Sequence, residues 1–122
     1  DGQCVFGFVP YGRHCYYTYD GEKGFSWPEA QHSCQQAHAE LASFHSRAEV
    51  EFIVSLNRTK YHHLWIGLTR DRNFGWGWTD KTAEKCVEMY HDGLWNDNNC
   101  LEKRGFVCRH RQCKVSFLYC PL

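Results

Sequence analysis

The chain has 122 residues, including eight cysteines and one methionine, and 43% of its residues are hydrophobic. This length fits one domain with a single core, and the cysteine content is typical of a disulfide-braced domain from an oxidising compartment. The 14 basic and 14 acidic residues cancel, which argues against nucleic acid or an anionic membrane as a partner, and no stretch has the roughly 18 apolar residues of a transmembrane segment. We expect an extracellular protein, either secreted or the ectodomain of a membrane receptor.

The first 20 residues have the pattern of a β-hairpin. Aromatic and polar positions alternate around Cys4 and Cys15, with a turn at Pro10, Tyr11 and Gly12. A disulfide between the two cysteines would brace this hairpin. It stays a hypothesis at this point, because eight cysteines allow 105 pairings.

A first helix is predicted to begin after Ser26. Ser26 and Glu29 have the spacing of a capping box, and Pro28 in the first turn loses no needed hydrogen bond. The helix face predicted to point to the core carries residues at spacings of three, four and three: Trp27, Ala30, Cys34 and Ala37.

A short strand and a second helix follow. Leu41, Ala42 and Phe44 form the strand, and Ser46 with Glu49 forms a second capping box. The side chains of the second helix that are predicted to point inward are Val50, Ile53 and Val54.

Past the second helix, Asn57 opens an Asn-Arg-Thr sequon and is predicted to be glycosylated. Residues 64–68, Leu-Trp-Ile-Gly-Leu, are too continuously apolar for a half-exposed strand and are expected at the centre of the domain. Residues 74–80 alternate large residues with glycine, as a strand does where another backbone lies close. Residues 105–108 read as a last core strand.

The stretch from residue 86 to residue 100 carries most of the functional information. Two cysteines bound it, and it contains a turn at residues 91–93 followed by Trp95, Asn96 and Asp97. Glu84 stands two residues before the first cysteine. Carboxylate and amide oxygens are the ligands that calcium prefers, although Asn96 and Asp97 would also suit a simple turn. Trp95 could stack on a sugar ring, but a core position is favoured, as for Trp65, Trp76 and Trp78.

The end of the chain has two features that leave alternatives open. Cys113 and Cys120 either close a small terminal loop, which we favour, or bridge to a second chain, so the oligomeric state is undetermined. A cluster of basic residues is interpreted as a solvated face, with an anionic-ligand site as the alternative; it comprises Lys103, Arg104, Arg109, Arg111 and Lys114.

Taken together, these motifs resemble the long form of the C-type lectin-like domain. The resemblance runs from Cys4 to Cys108 and includes the 65–68 core motif, the 78–80 strand and the Trp95-Asn96-Asp97 triplet. It implies an α+β fold of two small antiparallel sheets with two flanking helices. It also implies the disulfides Cys4 to Cys15, Cys34 to Cys108 and Cys86 to Cys100. We assign residues 1–110 to this domain and 111–122 to a C-terminal extension with two extra cysteines.

The resemblance also implies a calcium and carbohydrate site. In sugar-binding members, a glutamate two residues before the third core cysteine and the Asn-Asp pair hold calcium, together with a Glu-Pro-Asn or Gln-Pro-Asp triplet from a long loop. Glu84, Asn96 and Asp97 match as metal ligands, and Glu84 and Asn96 as sugar contacts. The triplet is missing, because only residues 81–85 separate Asp80 from Cys86. The calcium site is therefore expected to be weakened.

Two functions are carried forward. The first is an extracellular domain that binds a carbohydrate or glycoprotein ligand with calcium, through this incomplete site. The alternative is a calcium-independent module that binds a protein. An enzyme is not expected, because the histidines are scattered and all eight cysteines can pair.

Overall fold

The computed structural model describes residues 3–21, 23–56, 63–71, 75–78, 85–90 and 92–112, with the backbone alone at residues 69–71, 75–78 and 85. Asn57, Glu84, Cys113 and Cys120 lie outside the described residues. Within these ranges the elements in chain order are β1 Val9–Tyr11, β2 His14–Tyr19, α1 Trp27–Gln36, β3 Glu40–Leu41, α2 Arg47–Leu56, β4 His63–Asp71, β5 Gly75–Trp78, β6 Lys85–Tyr90, β7 Trp95–Asn98 and β8 Gly105–Arg111.

The strands form one sheet in the order β1, β2, β8, β4, β6, β7, with β3 paired to β8 and β5 paired to β4. The predicted α+β class is confirmed. The two antiparallel parts that the sequence suggested are joined through a parallel pairing of β4 with β8, in which Leu64 lies opposite Gly105 and Trp65 opposite Phe106. This single parallel step brings the two predicted core strands side by side.

The predicted N-terminal hairpin is present, with its turn slightly later in the chain. Pro10 and Tyr11 belong to β1, and the chain reverses at Gly12 and Arg13, where Gly12 has a φ of 61°. The Cys4 to Cys15 disulfide ties the segment before β1 to β2. The other two implied disulfides, Cys34 to Cys108 and Cys86 to Cys100, are also present.

Helix α1 begins as the capping box predicts. The Ser26 hydroxyl accepts a hydrogen bond from the Glu29 amide at 3.3 Å, and the Glu29 carboxylate accepts one from the Ser26 amide at 2.9 Å. Trp27, Ala30 and Cys34 are buried. Ala37, predicted to lie on the same face, is instead the C-cap and only partly buried, because the helix ends at Gln36.

Helix α2 has a modified version of the second capping box. The Ser46 hydroxyl accepts from the Glu49 amide at 3.2 Å, but the Glu49 carboxylate reaches the amide of His45, at 2.8 Å, one residue before the predicted donor. Ile53 is fully buried, whereas Val50 and Val54 are partly buried. The predicted inward face is therefore correct.

The centre of the fold is the segment Leu64 to Gly67, as expected, and all of it is buried. A β-carbon on Gly67 would lie 2.5 Å from the carbonyl oxygen of Leu41, so glycine permits the close approach of β3 to β4. The Trp27 indole donates to the carbonyl of Ile66 at 2.9 Å. This bond fixes α1 against the same strand.

The basic residues of the cluster that the structure describes, all but Lys114, do not form the solvated face that was predicted. Arg104 pairs with Glu88 and Arg109 pairs with Glu49, and both guanidinium groups are mostly buried. Lys103 contacts Glu29 at 2.9 Å. The sequence cluster is divided because Arg104 lies before β8 and reaches Glu88 of β6, whereas Arg109 lies within β8 and reaches Glu49 of α2.

Candidate functional site

The candidate site lies on the hairpin of β6 and β7. Its turn contains Gly93, whose amide donates to the carbonyl of Tyr90 at 2.9 Å and whose φ is 89°. The Asp92 carboxylate accepts from the Leu94 amide at 3.0 Å. The predicted turn is thus present at Asp92 and Gly93, and His91 falls outside the described residues.

Asn96 and Asp97, two of the predicted ligands, lie in the middle of β7. They are opposite Glu88 and Val87 of β6, and both are partly buried. The Cys86 to Cys100 disulfide links the start of β6 to the segment that follows β7. The hairpin therefore holds Asn96 and Asp97 in register and fixes both ends of the pairing.

Beneath Asn96 lies a carboxylate that the sequence did not reveal as part of the site. Glu88 is 1% exposed. One of its oxygens accepts from the side-chain amides of Asn96, at 3.1 Å, and Asn98, at 3.2 Å. The other oxygen accepts from Nε of Arg104 at 2.8 Å and lies 3.5 Å from Nδ1 of His63. Buried charge is costly unless it is paired and hydrogen-bonded, and here both oxygens are satisfied.

The surroundings of Glu88 keep it ionised. Burial alone would raise the pKa of its carboxyl group, but hydrogen bonds from Arg104, Asn96 and Asn98 and the nearby charge of His63 outweigh burial and leave the pKa below its usual value. An ionised carboxylate only accepts hydrogen bonds. The amide nitrogen of Asn96 must therefore face Glu88.

Trp95 was predicted to fill the core, and this prediction is wrong. Its side chain is 40% exposed. The reason is its position, since β7 is the outermost strand of the described sheet on this side and Trp95 is its first residue, opposite the buried Met89. Its ring lies 6.3 Å from that of Phe44 and covers the edge of the core. Trp65, by contrast, is fully buried, and the side chains of Trp76 and Trp78 lie outside the description.

The described residues satisfy the calcium requirement only in part. Asn96 and Asp97 supply an amide oxygen and a carboxylate, whereas calcium takes six to eight oxygens. Glu88 cannot add to them, because both of its oxygens already accept hydrogen bonds from protein groups. Within the described ranges no group of three or more His, Cys, Asp or Glu residues is arranged to hold a metal ion. Glu84 lies outside those ranges.

Glu88 and Arg104 were missed because the sequence gives a misleading signal. Glu88 stands between Val87 and Met89 in an otherwise apolar strand, where alternation predicts an exposed position. All three residues are buried. The available clue was the pair of asparagines, Asn96 and Asn98, whose period of two places both amides on one face of β7.

Comparison with known protein families shows to which family the chain belongs. The sequence model described as "Lectin C-type domain" matches residues 23–85 and 79–110. The chain belongs to the C-type lectin domain family. The match is in two segments that meet and overlap at residues 79–85, where the long loop of sugar-binding members would lie.

Individual relatives agree with the family assignment. Asialoglycoprotein receptor 2 of Mus musculus is 33% identical over 133 aligned positions that include 89% of this chain, which spans 42% of the receptor's length. Snaclec B1 of Macrovipera lebetinus is 31% identical over 87% of this chain and 80% of its own length. Neither of these relatives has the name of an enzyme.

A solved structure shows the same fold. The cow C-type carbohydrate-recognition domain of CD23, determined in the presence of GlcNAc2Man3 oligosaccharide, superposes with a TM-score of 0.78 at 27% identity, over 91% of this chain and 98% of that domain. The shared fold thus extends over nearly the full length of that domain. None of the helices in the described part of the chain is long and apolar enough to cross a membrane.

Proposed function

We propose that this C-type lectin domain is an extracellular recognition module that binds a carbohydrate or glycoprotein ligand at the surface of β7. Calcium at this surface would be held weakly by Glu84, Asn96 and Asp97, and the sugar would contact Glu84 and Asn96. The observation that carries the proposal is the placement of Asn96 and Asp97 on the outermost strand of the β6–β7 hairpin, where the Asn96 side-chain amide donates to Glu88 at 3.1 Å. A related domain was solved in the presence of an oligosaccharide.

Weak calcium binding follows from the number of oxygens. Glu84, Asn96 and Asp97 with one backbone carbonyl supply about half of the six to eight that calcium takes. Water would supply the others, and water binds the ion without the advantage of a preorganised cage. The same deficit removes sugar contacts, because metal ligands in such sites also bind the sugar hydroxyls.

The test combines calcium binding with glycan retention. The melting temperature is measured with calcium and with chelator, and retention is measured on mannose and galactose resins. We expect calcium to raise the melting temperature and to increase retention, and expect the Asn96→Ala/Asp97→Ala double variant to lose both effects. Asn99→Ala, an exposed position three residues from Asn96, is the matched control. No calcium effect on either measurement in the wild-type protein would rule out this function.

A second function, calcium-independent binding of a protein, is favoured by the apolar surface next to the turn. Leu94 is 63% exposed beside the 40% exposed Trp95. They border a cavity of about 440 Å³ between the turn and α2, whose apolar lining includes Phe44, Val50 and Val54. Leu94→Ser with an intact calcium response separates the two functions. Loss of binding to a cell-surface protein in chelator supports the second, and unchanged binding excludes this surface.

Several properties belong to the same proposal. The extracellular location is supported by three disulfides and by relatives that include receptors.

We also propose a glycan on Asn57, a non-enzymatic role, and a C-terminal extension from residue 111 in which Cys113 and Cys120 pair. A mass measurement before and after glycosidase treatment and reduction tests the glycan and the terminal disulfide together.

A further inference from the structure

We propose that Glu88 is a positioning residue that turns the side-chain oxygen of Asn96 toward the ligand surface. The consequence for calcium rests on the proposed function, but the orientation of the amide does not. One oxygen of the buried Glu88 carboxylate accepts a hydrogen bond from Nε of Arg104 at 2.8 Å, and the guanidinium group of Arg104 can only donate. The second oxygen of Glu88 is then left to accept from Asn96 and Asn98.

The two asparagines differ in what their oxygens do. Asn98 uses its side-chain oxygen to accept from the Asn99 backbone amide at 2.7 Å, so both ends of its amide are occupied. Asn96 donates to Glu88, and its oxygen accepts no hydrogen bond from another described residue. An amide group is planar, so a nitrogen fixed on Glu88 directs the oxygen away from the sheet interior. Asn96 is thus the amide that offers an acceptor to a ligand.

Replacing Glu88 by glutamine is expected to reverse this orientation. Glutamine has one acceptor oxygen, and Arg104 takes it, because a hydrogen bond from a charged donor is the stronger one. The glutamine nitrogen then faces the nitrogens of Asn96 and Asn98. Asn98 is held by its bond to Asn99, so Asn96 is the amide that rotates, and its nitrogen turns outward. A nitrogen that carries two protons cannot bind calcium.

The orientation is tested by NMR on the metal-free protein. In the wild type, the side-chain amide protons of Asn96 and Asn98 should exchange with solvent about tenfold more slowly than those of Asn99, in line with one buried hydrogen bond each. Asn99 is exposed, and its side-chain nitrogen makes no hydrogen bond within the described residues. In Glu88→Gln, the Asn96 protons should exchange at the rate of Asn99.

Glu102→Gln is the matched control. Glu102 is an exposed carboxylate 3.8 Å from the same Arg104 and makes no contact with Asn96 in the described structure. Its variant should leave the Asn96 protons unchanged. Fast exchange of the Asn96 protons in the wild type, or unchanged slow exchange in folded Glu88→Gln, would overturn the inference. If Glu88→Gln does not fold, the comparison of Asn96 with Asn99 in the wild type decides.

A calcium titration followed through the backbone resonances of residues 96 and 97 tests the consequence for the ligand. The dissociation constant should rise about 10-fold to 100-fold in Glu88→Gln, as for other residues that orient metal ligands, and stay within about twofold in Glu102→Gln. A rotated amide with unchanged calcium affinity would contradict the role in ligand binding. A wild-type protein that binds no calcium removes the proposed calcium site, and the exchange data still decide the role of Glu88.

Discussion

The phenolic oxygen of Tyr16 lies 2.6 Å from a carboxylate oxygen of Glu49, and this contact joins strand β2 to helix α2. Arg109 donates to the same carboxylate oxygen at 3.0 Å, to the Tyr16 hydroxyl at 3.2 Å and to the hydroxyl of Ser43 at 3.1 Å. The three groups form a mostly buried polar network between helix and sheet. Tyr16, Glu49 and Arg109 are each hydrogen-bonded to the other two.

Removing Arg109 from this network should destabilise the fold. Arg109→Ala leaves the Glu49 carboxylate, whose side chain is 13% exposed, without its cation. We expect a loss of about 3 kcal/mol in the free energy of unfolding, the cost of leaving a buried charge unpaired. Urea unfolding measures it. Arg111→Ala, an exposed change on the same strand, should stay within about 0.5 kcal/mol; equal losses in the two variants would refute the role of the network.

Acid should destabilise the protein in two steps. Burial and the charge of Arg109 lower the pKa of His14 below 6.5, and burial lowers the pKa of His110. A histidine kept neutral by folding contributes stability that is present above pH 6.5 and is lost as the pH falls through its lowered pKa. The first decline should therefore begin near pH 6.5.

The second step comes from carboxylates whose pKa the fold lowers, and Glu49 is one of them. Burial alone would raise its pKa, but hydrogen bonds from Tyr16 and His45 and the charge of Arg109 hold it at about 2. Its contribution is complete above pH 4.5 and is lost toward pH 2. Melting temperatures from pH 8 to pH 2 measure both steps. Glu49→Gln should make the lower step smaller, because Glu88 also has a lowered pKa and still contributes, whereas exposed Glu51→Gln should leave the step unchanged; a lower step of undiminished size in Glu49→Gln would assign it to other carboxylates.

The two tryptophans with described side chains in the sheet should differ in their contributions to stability. Trp65 is fully buried, and its indole donates to the carbonyls of Phe25 and Glu102 at 2.9 and 3.2 Å. Trp65→Ala should cost about 4 kcal/mol or prevent folding. Trp95→Ala removes a 40% exposed side chain at the edge of the core and should cost about 1.5 kcal/mol. Thermal unfolding of both variants measures the two losses of stability. If Trp95 were a core residue, its loss would equal or exceed that of Trp65.

The disulfides should stabilise the domain according to the chain length that each closes. Cys34 and Cys108 are 74 residues apart, whereas Cys86 and Cys100 are 14 apart. The loop-entropy relation gives about 4.5 kcal/mol for the first and about 3 kcal/mol for the second. Paired Cys→Ala variants and urea unfolding measure the difference. A larger loss for the shorter loop would show that packing around β7 depends on Cys86 to Cys100 beyond its effect on chain entropy.

Much of the fold was predictable because local rules and core packing agree. The Ser26 and Glu29 capping box is a local hydrogen-bond pattern, and residues 64–67 of the central apolar run and the last core strand at residues 105–108 are buried as their composition indicates. Trp95 was predicted wrongly, because a large aromatic residue at the edge of a sheet has the same sequence signal as one at its centre. Its exposure depends on which strand is outermost, and that is a property of topology.

The site was less predictable than the fold. Asn96 and Asp97 were predicted as ligands from their residue types and their place in the Trp-Asn-Asp motif, and their ligand roles stay predictions. Glu88 was not, since a buried carboxylate is stabilised by partners far away in sequence, such as Arg104, 16 residues later. Pairing of this kind has no local periodicity. Glu84, Asn57, Cys113 and Cys120 stay predictions.

Strands β5 and β6 both pair with β4, on opposite sides of it and antiparallel to it. This arrangement makes the domain suitable for loop grafting. Thr69 of β4 pairs with Gly77 of β5 and with Cys86 of β6, so the sheet itself fixes where the chain leaves at Trp78 and where it returns at Lys85. Closing a longer loop costs only about 0.6 kcal/mol for each doubling of its length. A longer loop could therefore be inserted between Trp78 and Lys85 without changing the pairing of β4 with β5 or β6.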